Sequence, residues 1–264
     1  MRVKAFNLFL IASSIGVVIA TTAIALKSQA TPGQSKKTAL QQADEDFYTL
    51  VDFNAPLPAD PKERGRLQAR ARRGDMPLQA GEDPSPYSLD KRRESGFGSP
   101  PTDQSKEIAL PVSQSDAVVI GYLGDARAFL THDKTTIFSQ FTVRLEDVLK
   151  DNPLGSLRVG DFITILRGGG GVRLPSGKII REGMHGKPLP KENRRYLLFL
   201  KYNNDEGKDY SILTAYELNA GKVSPLDGIN LVGTVETEYA AYRKYDGADE
   251  DAFVREVRNL INRN

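Results

Sequence analysis

The chain has 264 residues, 39% hydrophobic and 27% charged, a composition that excludes wholesale disorder and fits one good-sized domain or two small ones. Residues 106–264 carry 22 basic and 22 acidic groups, so the small overall excess of +2 comes from the N-terminal region and leaves no nucleic-acid footprint. The absence of cysteine excludes a disulfide framework, thiolate catalysis, lipoprotein-type acylation and any cysteine zinc site.

The N-terminus opens with Arg2 and Lys4, followed by an uncharged run from Ala5 to Leu26. A positive end before an apolar core is the pattern of an export segment. The run is long enough to span a bilayer as an uncleaved anchor. Small residues at Ala23, Ala25, Ser28 and Ala30 also offer signal-peptidase sites, so both readings stand. In either case the basic end stays in the cytoplasm and the rest of the chain is exported.

Residues 31–107 are rich in Pro, Gly, Ser and charge and read as a largely disordered tether with short islands. About 75 residues of flexible chain reach roughly 50 Å. One island, 38–53, suits a short helix or docking segment. The other, 60–75, has six basic and three acidic groups and reads as a solvated helix with scattered arginines, or as a contact for anionic lipid or cell-wall polymer.

From Ser115 the texture becomes β. The stretch 116–126 is β-branched and apolar. In 136–149, Phe141, Val143 and Leu145 alternate with Gln140, Thr142, Arg144 and Glu146, the period of a half-buried strand. Further strands are expected at 161–166, 194–202, 210–218 and 223–226. The stretch 203–209 is a hairpin connection in which Asp205, Glu206 and Asp209 offer at most an irregular calcium set. No long helix separates these strands, so the sheet must be largely antiparallel and must close or pair to cover its edges.

Residues 246–264 turn helical. Phe253, Val254, Val257, Leu260 and Ile261 form one stripe, with Asp249, Glu250 and Asp251 at the start, where the helix dipole favours negative charge. Residues 229–246 fit either a helical stripe or a strand.

The run Arg167-Gly168-Gly169-Gly170-Gly171 invites a phosphate-loop reading, and the spacing rejects it. Counting back from Gly177-Lys178 reaches Val172 where Walker A needs glycine, and Ile179 stands where Ser or Thr is needed. The dinucleotide pattern fails at Arg173 and Leu174. The stretch reads instead as hairpin arms around Pro175-Ser176-Gly177, with the glycine run a bulge, bend or close approach. One functional option survives: Arg167, Gly168, Gly169, Gly170 and Arg173 as an anion-binding nest.

His132 and His185 read as isolated loop histidines, without metal spacing or a nucleophile elbow. Glu146, Asp147 and Glu217 are unpaired carboxylate candidates. Tyr122, Phe141, Phe162, Tyr196, Phe199, Tyr210 and Tyr216 make either a stacking face, as in oligonucleotide- or sugar-binding barrels, or simply core.

The stretches 115–126, 141–150 and 194–202 together resemble the strands of secreted OB-like barrels of the netrin-module and metalloproteinase-inhibitor kind, and uncharacterised bacterial exported proteins of the same order. The resemblance covers residues 115–226 and implies a five- or six-strand barrel. It carries no activity across, because those inhibitors act through an N-terminal cysteine that this chain lacks.

The expected architecture is thus mainly β. An anchor or signal (1–30) leads through a tether (31–107) to a small antiparallel OB-like barrel (108–228), with a C-terminal helical segment (229–264) packed on it. The expected function is an extracytoplasmic, non-enzymatic binding module without cofactor. Its partners are a membrane through residues 5–26 and an envelope polymer or protein, not nucleic acid. The alternatives are a polymer-modifying enzyme with a cleft at the 167–177 bend, and a protease-inhibitor-like module.

Overall fold

A computed structural model of the protein describes residues 49–73, 108–183, 186–228 and 240–263. The apolar segment 5–26, most of the tether, His185 and residues 229–239 lie outside the described residues. The elements in order are β1 (Leu50–Asp52), α1 (Pro61–Arg73), β2 (Ala117–Leu130), β3 (Ile137–Lys150), β4 (Phe162–Arg173), β5 (Ile179–Gly183), β6 (Arg195–Asn203), β7 (Asp209–Asn219), β8 (Lys222–Pro225), α2 (Ala240–Arg243) and α3 (Glu250–Ile261). Among these, no helix is long and apolar enough to cross a membrane.

Five strands close a barrel in the order β2-β3-β4-β7-β6 and back to β2. Numbered by their own succession they run 1-2-3-5-4-1, the OB-like arrangement. All contacts between neighbours are antiparallel except the closing one. There β4 meets β7 in parallel, through only two residue pairs, Ile165–Tyr210 and Leu166–Ser211.

Period-two patterning fills the interior. Ala117, Val119 and Leu123 of β2, Phe141, Val143 and Leu145 of β3, Ile163 and Ile165 of β4, Tyr196, Leu198 and Leu200 of β6, and Tyr210 and Ala215 of β7 form one buried cluster. β2 and β6 are apolar on both faces because α3 covers their outer side. Val118, Ile120, Leu197 and Phe199 pack there with Tyr216, Tyr242, Tyr245, Phe253 and Val257. The continuous apolar run of β6 is therefore that of a strand buried on two sides. α3 begins at Asp249, whose side chain accepts from the Ala252 amide at 3.0 Å.

The region expected as tether contributes two folded pieces. β1 lies parallel to the far end of β4, with Leu50 opposite Gly171. α1 starts at an Asp60 cap and a Pro61 suited to the first helical position. It packs Ala71 against Phe138 and Leu166 on the outer side of β3 and β4.

Its arginines reach β7. Arg70 Nε donates to Asp209 Oδ2 at 2.6 Å, Arg73 Nη2 donates to the same oxygen at 2.8 Å, and Arg73 Nε meets Asp205 at 2.7 Å. Asn203 donates to the other Asp209 oxygen at 2.8 Å. α1 thus straps β3, β4 and β7 together where the barrel closes.

Asp209 is fully buried. Burial alone would raise its pKa, but hydrogen bonds from Arg73, Asn203 and Arg70 outweigh this and hold the carboxyl below the ordinary range. A depressed folded-state pKa contributes stability above the unfolded value of about 3.9, which is lost as pH falls through the folded value. Native-state proteolysis within α1 is therefore expected to stay slow at neutral pH and accelerate below about pH 4. Asp209→Ala, which leaves Arg70 and Arg73 facing a buried void, is expected to cost about 3–5 kcal/mol in urea unfolding. A cost under about 1 kcal/mol would show that the strap is not structural.

Candidate functional site

The glycine run marks the place where β4 leaves one sheet for another. Up to Gly168, which pairs with Phe138, β4 runs beside β3. From Gly169 it pairs with β5, and at Gly171 also with β1. Gly169 and Gly170 have φ of +112° and +142°. A Cβ at Gly170 would lie 2.9 Å from Ile137 Cγ2 and 3.1 Å from Ser139 Oγ. The glycines are thus required by a backbone crossing and by close approach.

Beyond them the hairpin forms as expected, with the Gly177 amide donating to Leu174 O at 2.9 Å and Gly177 at positive φ. Its inner face builds a second small core from Phe53, Ala128, Ile137, Val172, Leu174 and Ile180.

The two arginines of the expected anion nest do not converge. Arg167 belongs to the inward-facing set of β4 and is buried against the wholly buried Asp227, to which its Nη2 donates. Arg173, six residues on and so about 20 Å away along the strand, is half-exposed and pairs with Asp52 at 3.1 Å. Each guanidinium is held by a carboxylate.

The Arg167 pair is not fully satisfied. Its second terminal nitrogen has no hydrogen-bond partner among the described residues, while the Thr214 hydroxyl lies beside the Asp227 carboxyl and favours its charged form. Burial pushes the Asp227 carboxyl above its ordinary range despite the adjoining Arg167 charge.

The other sequence candidates are dispersed. The amide of His132 donates to Ala71 O at the β2–β3 hairpin tip. Glu146, Asp147 and Glu217 are bound to Arg195, Arg258 and Arg194. Asp205 and Asp209 hold α1. Among the described residues no cluster of acidic groups and histidine has metal-ligand geometry.

The seven aromatic candidates divide sharply. Phe141, Tyr196, Phe199, Tyr210 and Tyr216 are core, none more than 4% exposed. Tyr122 and Phe162 remain at the surface, 38% and 69% exposed. Register brings these two together. Tyr122 of β2 is opposite Arg144 of β3, and Arg144 is opposite Phe162 of β4, forming one row across three strands on the outer face of the barrel. Beside it Thr142 faces Thr164 in the next outward row. Arg144 is more than half exposed, and its nearest carboxylate is Glu146 at 4.0 Å. Glu146 is itself drawn to Arg195 at 2.7 Å.

The loop before Phe162 is firmly built. Asp151 accepts from the amides of Asn152 and Leu157 and from Ser156 Oγ, and these bonds hold its carboxyl below the ordinary range. Asn152 is buried and donates to the Tyr210 hydroxyl at 2.9 Å. This frame leaves Leu154 and Val159 exposed to solvent.

Sequence reasoning named both exposed aromatics but missed Arg144 between them. One signal was present. In 161–166, Ile163 and Ile165 set the inward parity, so Phe162 shares the outward parity with Thr164, where a large aromatic needs a reason.

Compared with protein-family models, with curated proteins and with solved structures, the chain matches none.

Gly170→Ala combines a positive φ with a clash and is expected to lower stability by about 1–3 kcal/mol. Removing one partner of the inner pair, as in Arg167→Met or Asp227→Leu, is expected to cost about 3–5 kcal/mol, while the double variant recovers most of it. Both are read by denaturant unfolding. A double variant as damaged as the sum of the singles would mean that the two side chains do not act as a pair.

Proposed function

We propose that the protein is an exported, non-enzymatic binding module that takes a glycan strand of the cell envelope across the outer face of β2, β3 and β4. The observation that carries the reading is the row Tyr122–Arg144–Phe162, two exposed aromatics flanking an exposed arginine on a barrel whose other candidate aromatics are core. Sugar rings offer apolar faces for stacking on Tyr and Phe, and hydroxyls for a guanidinium fork and for Thr142 and Thr164. The corresponding strand face of OB-type barrels binds oligosaccharides and oligonucleotides, which supports the choice of face by analogy of fold alone. The neutral charge of residues 106–264 favours a glycan over a nucleic acid.

Export rests on the basic, apolar N-terminus. If that segment is retained as an anchor, it precedes in sequence a fold whose first described strand begins at Leu50. The enzyme alternative gains nothing from the bend at 167–177, where Arg167 and Arg173 are held apart by separate carboxylates. The resemblance to netrin-module and inhibitor-type barrels rests on the closed five-strand barrel and on nothing finer.

Cosedimentation with purified, insoluble cell-wall glycan tests the reading. The protein is expected to bind saturably, and Tyr122→Ala with Phe162→Ala to weaken binding about tenfold or more, since stacking on one aromatic is worth ~1–3 kcal/mol. The unfolding midpoint should hardly move, because both side chains are exposed. Equal binding by the variant would overturn the assignment of this face.

A further inference from the structure

A cleft lies on the other flank of the barrel. Between α1 and the β6–β7 hairpin is a cleft of about 420 Å³, lined by Pro61, Lys62, Gly65 and Arg66 from the helix and by Glu206 and Lys208 from the hairpin. Three lining side chains are cationic and one is anionic. α1 turns Lys62, Arg66, Arg70 and Arg73 to one side, at spacings of four and three. The last two are consumed by Asp209 and Asp205. Lys62, Arg66 and Lys208 have no side-chain hydrogen bond or ion pair among the described residues. All three are exposed residues of the cleft lining, and Glu206 is the one acidic residue in that lining among the described residues.

The start of the helix is not the attraction. Asp60 already caps the Lys62 amide at 3.0 Å, and Arg64 is turned back onto the carbonyls of Pro58 and Ala59.

Gly65 supplies an independent observation. A glycine inside a helix weakens it relative to alanine. Packing does not require this one, since a Cβ built at Gly65 meets nothing within 4 Å. That Cβ would enter the open cleft. Gly65 lines the cleft together with Lys62 and Arg66, so a side chain there would narrow the space beside them.

We propose that this cleft binds a phosphodiester anion, with Arg66 supplying a two-pronged donor and Lys62 and Lys208 acting as point charges beside it. A phosphodiester occurs both in anionic envelope polymers and in the headgroups of anionic phospholipids. The cleft is the same for either. It does not depend on the glycan face, which lies at the opposite end of β6, about 25 Å away along the strand. Arg195, at the near end of β6, is in register with Tyr122, whereas Asn203 at the far end adjoins the hairpin.

The test uses the full chain and two probes, glycerophosphoglycerol in solution and vesicles of phosphatidylglycerol in phosphatidylcholine, with pure phosphatidylcholine vesicles as the reference for any binding by the apolar N-terminus. Calorimetry is expected to show saturable binding of glycerophosphoglycerol that weakens with salt and falls tenfold or more in the double variant Lys62→Glu, Arg66→Glu. Arg66→Gln should give a smaller loss of about threefold.

Gly65→Ala is expected to raise the unfolding midpoint while reducing affinity, a combination that a purely structural glycine would not produce. An extra response to phosphatidylglycerol vesicles that is lost in the charge-reversed variant would assign the lipid source. Binding of the soluble probe without that extra response would assign the polymer source. Equal behaviour of the native chain and the charge-reversed variant toward both probes, or no saturable binding of either, would overturn the proposal. Loss of glycan binding through Tyr122 and Phe162 leaves all these outcomes unchanged, so the two sites succeed or fail separately.

Discussion

The structure depends on one closure. Five strands whose inner faces are apolar must meet end to end, and the last junction, β4 beside β7, consists of two parallel residue pairs. Parallel pairing over so short a length supplies little by itself. It is reinforced on both sides. Inside, Ile165 and Tyr210 join the common core. Outside, α1 covers the seam and fixes its arginines on Asp209, a carboxylate without solvent. A segment that precedes the barrel in sequence thereby becomes part of what holds it shut.

Closure also decides where function can reside. The barrel is filled from within by side chains of all five strands, and the inner polar groups, Arg167 and Asp227, are turned on each other. α3 covers the outer face of β2 and β6, and α1 covers part of β3, β4 and β7. Among the described residues, open surface includes the band of β2, β3 and β4 that carries Tyr122, Arg144 and Phe162, and the cleft that α1 leaves as it passes the β6–β7 hairpin. The division is spatial: apolar period-two residues close the cylinder, and the few large apolar or aromatic residues that break the pattern outward are left at its surface.

The strands were legible because alternation is local. Phe141, Val143 and Leu145 announce one buried face, and the stripe from Phe253 to Ile261 announces α3. The turn at Pro175 to Gly177 was readable from turn chemistry. Long-range placement was not. Arg167 beside glycines looked like a ligand group, and nothing near it in sequence disclosed Asp227, sixty residues later. The run in β6 gave its length but not its two faces, because Leu197 and Phe199 lie under α3 while Leu198 and Leu200 point inward. α1 looked like a solvated helix, since its arginines reveal their purpose only through Asp209. The row of Tyr122, Arg144 and Phe162 exists only through register across three strands, which composition does not encode.

The central claim is that a closed, filled barrel works through its outer β2–β3–β4 face. Amide chemical-shift mapping by NMR, with soluble cell-wall glycan fragments titrated into the protein, tests it most directly. The account predicts perturbations concentrated at Tyr122, at Thr142 to Glu146 and at Phe162 to Thr164, saturating together. Perturbations centred on Arg167 to Arg173 and Asp227, with the outer row silent, would contradict it and move the site into the barrel end.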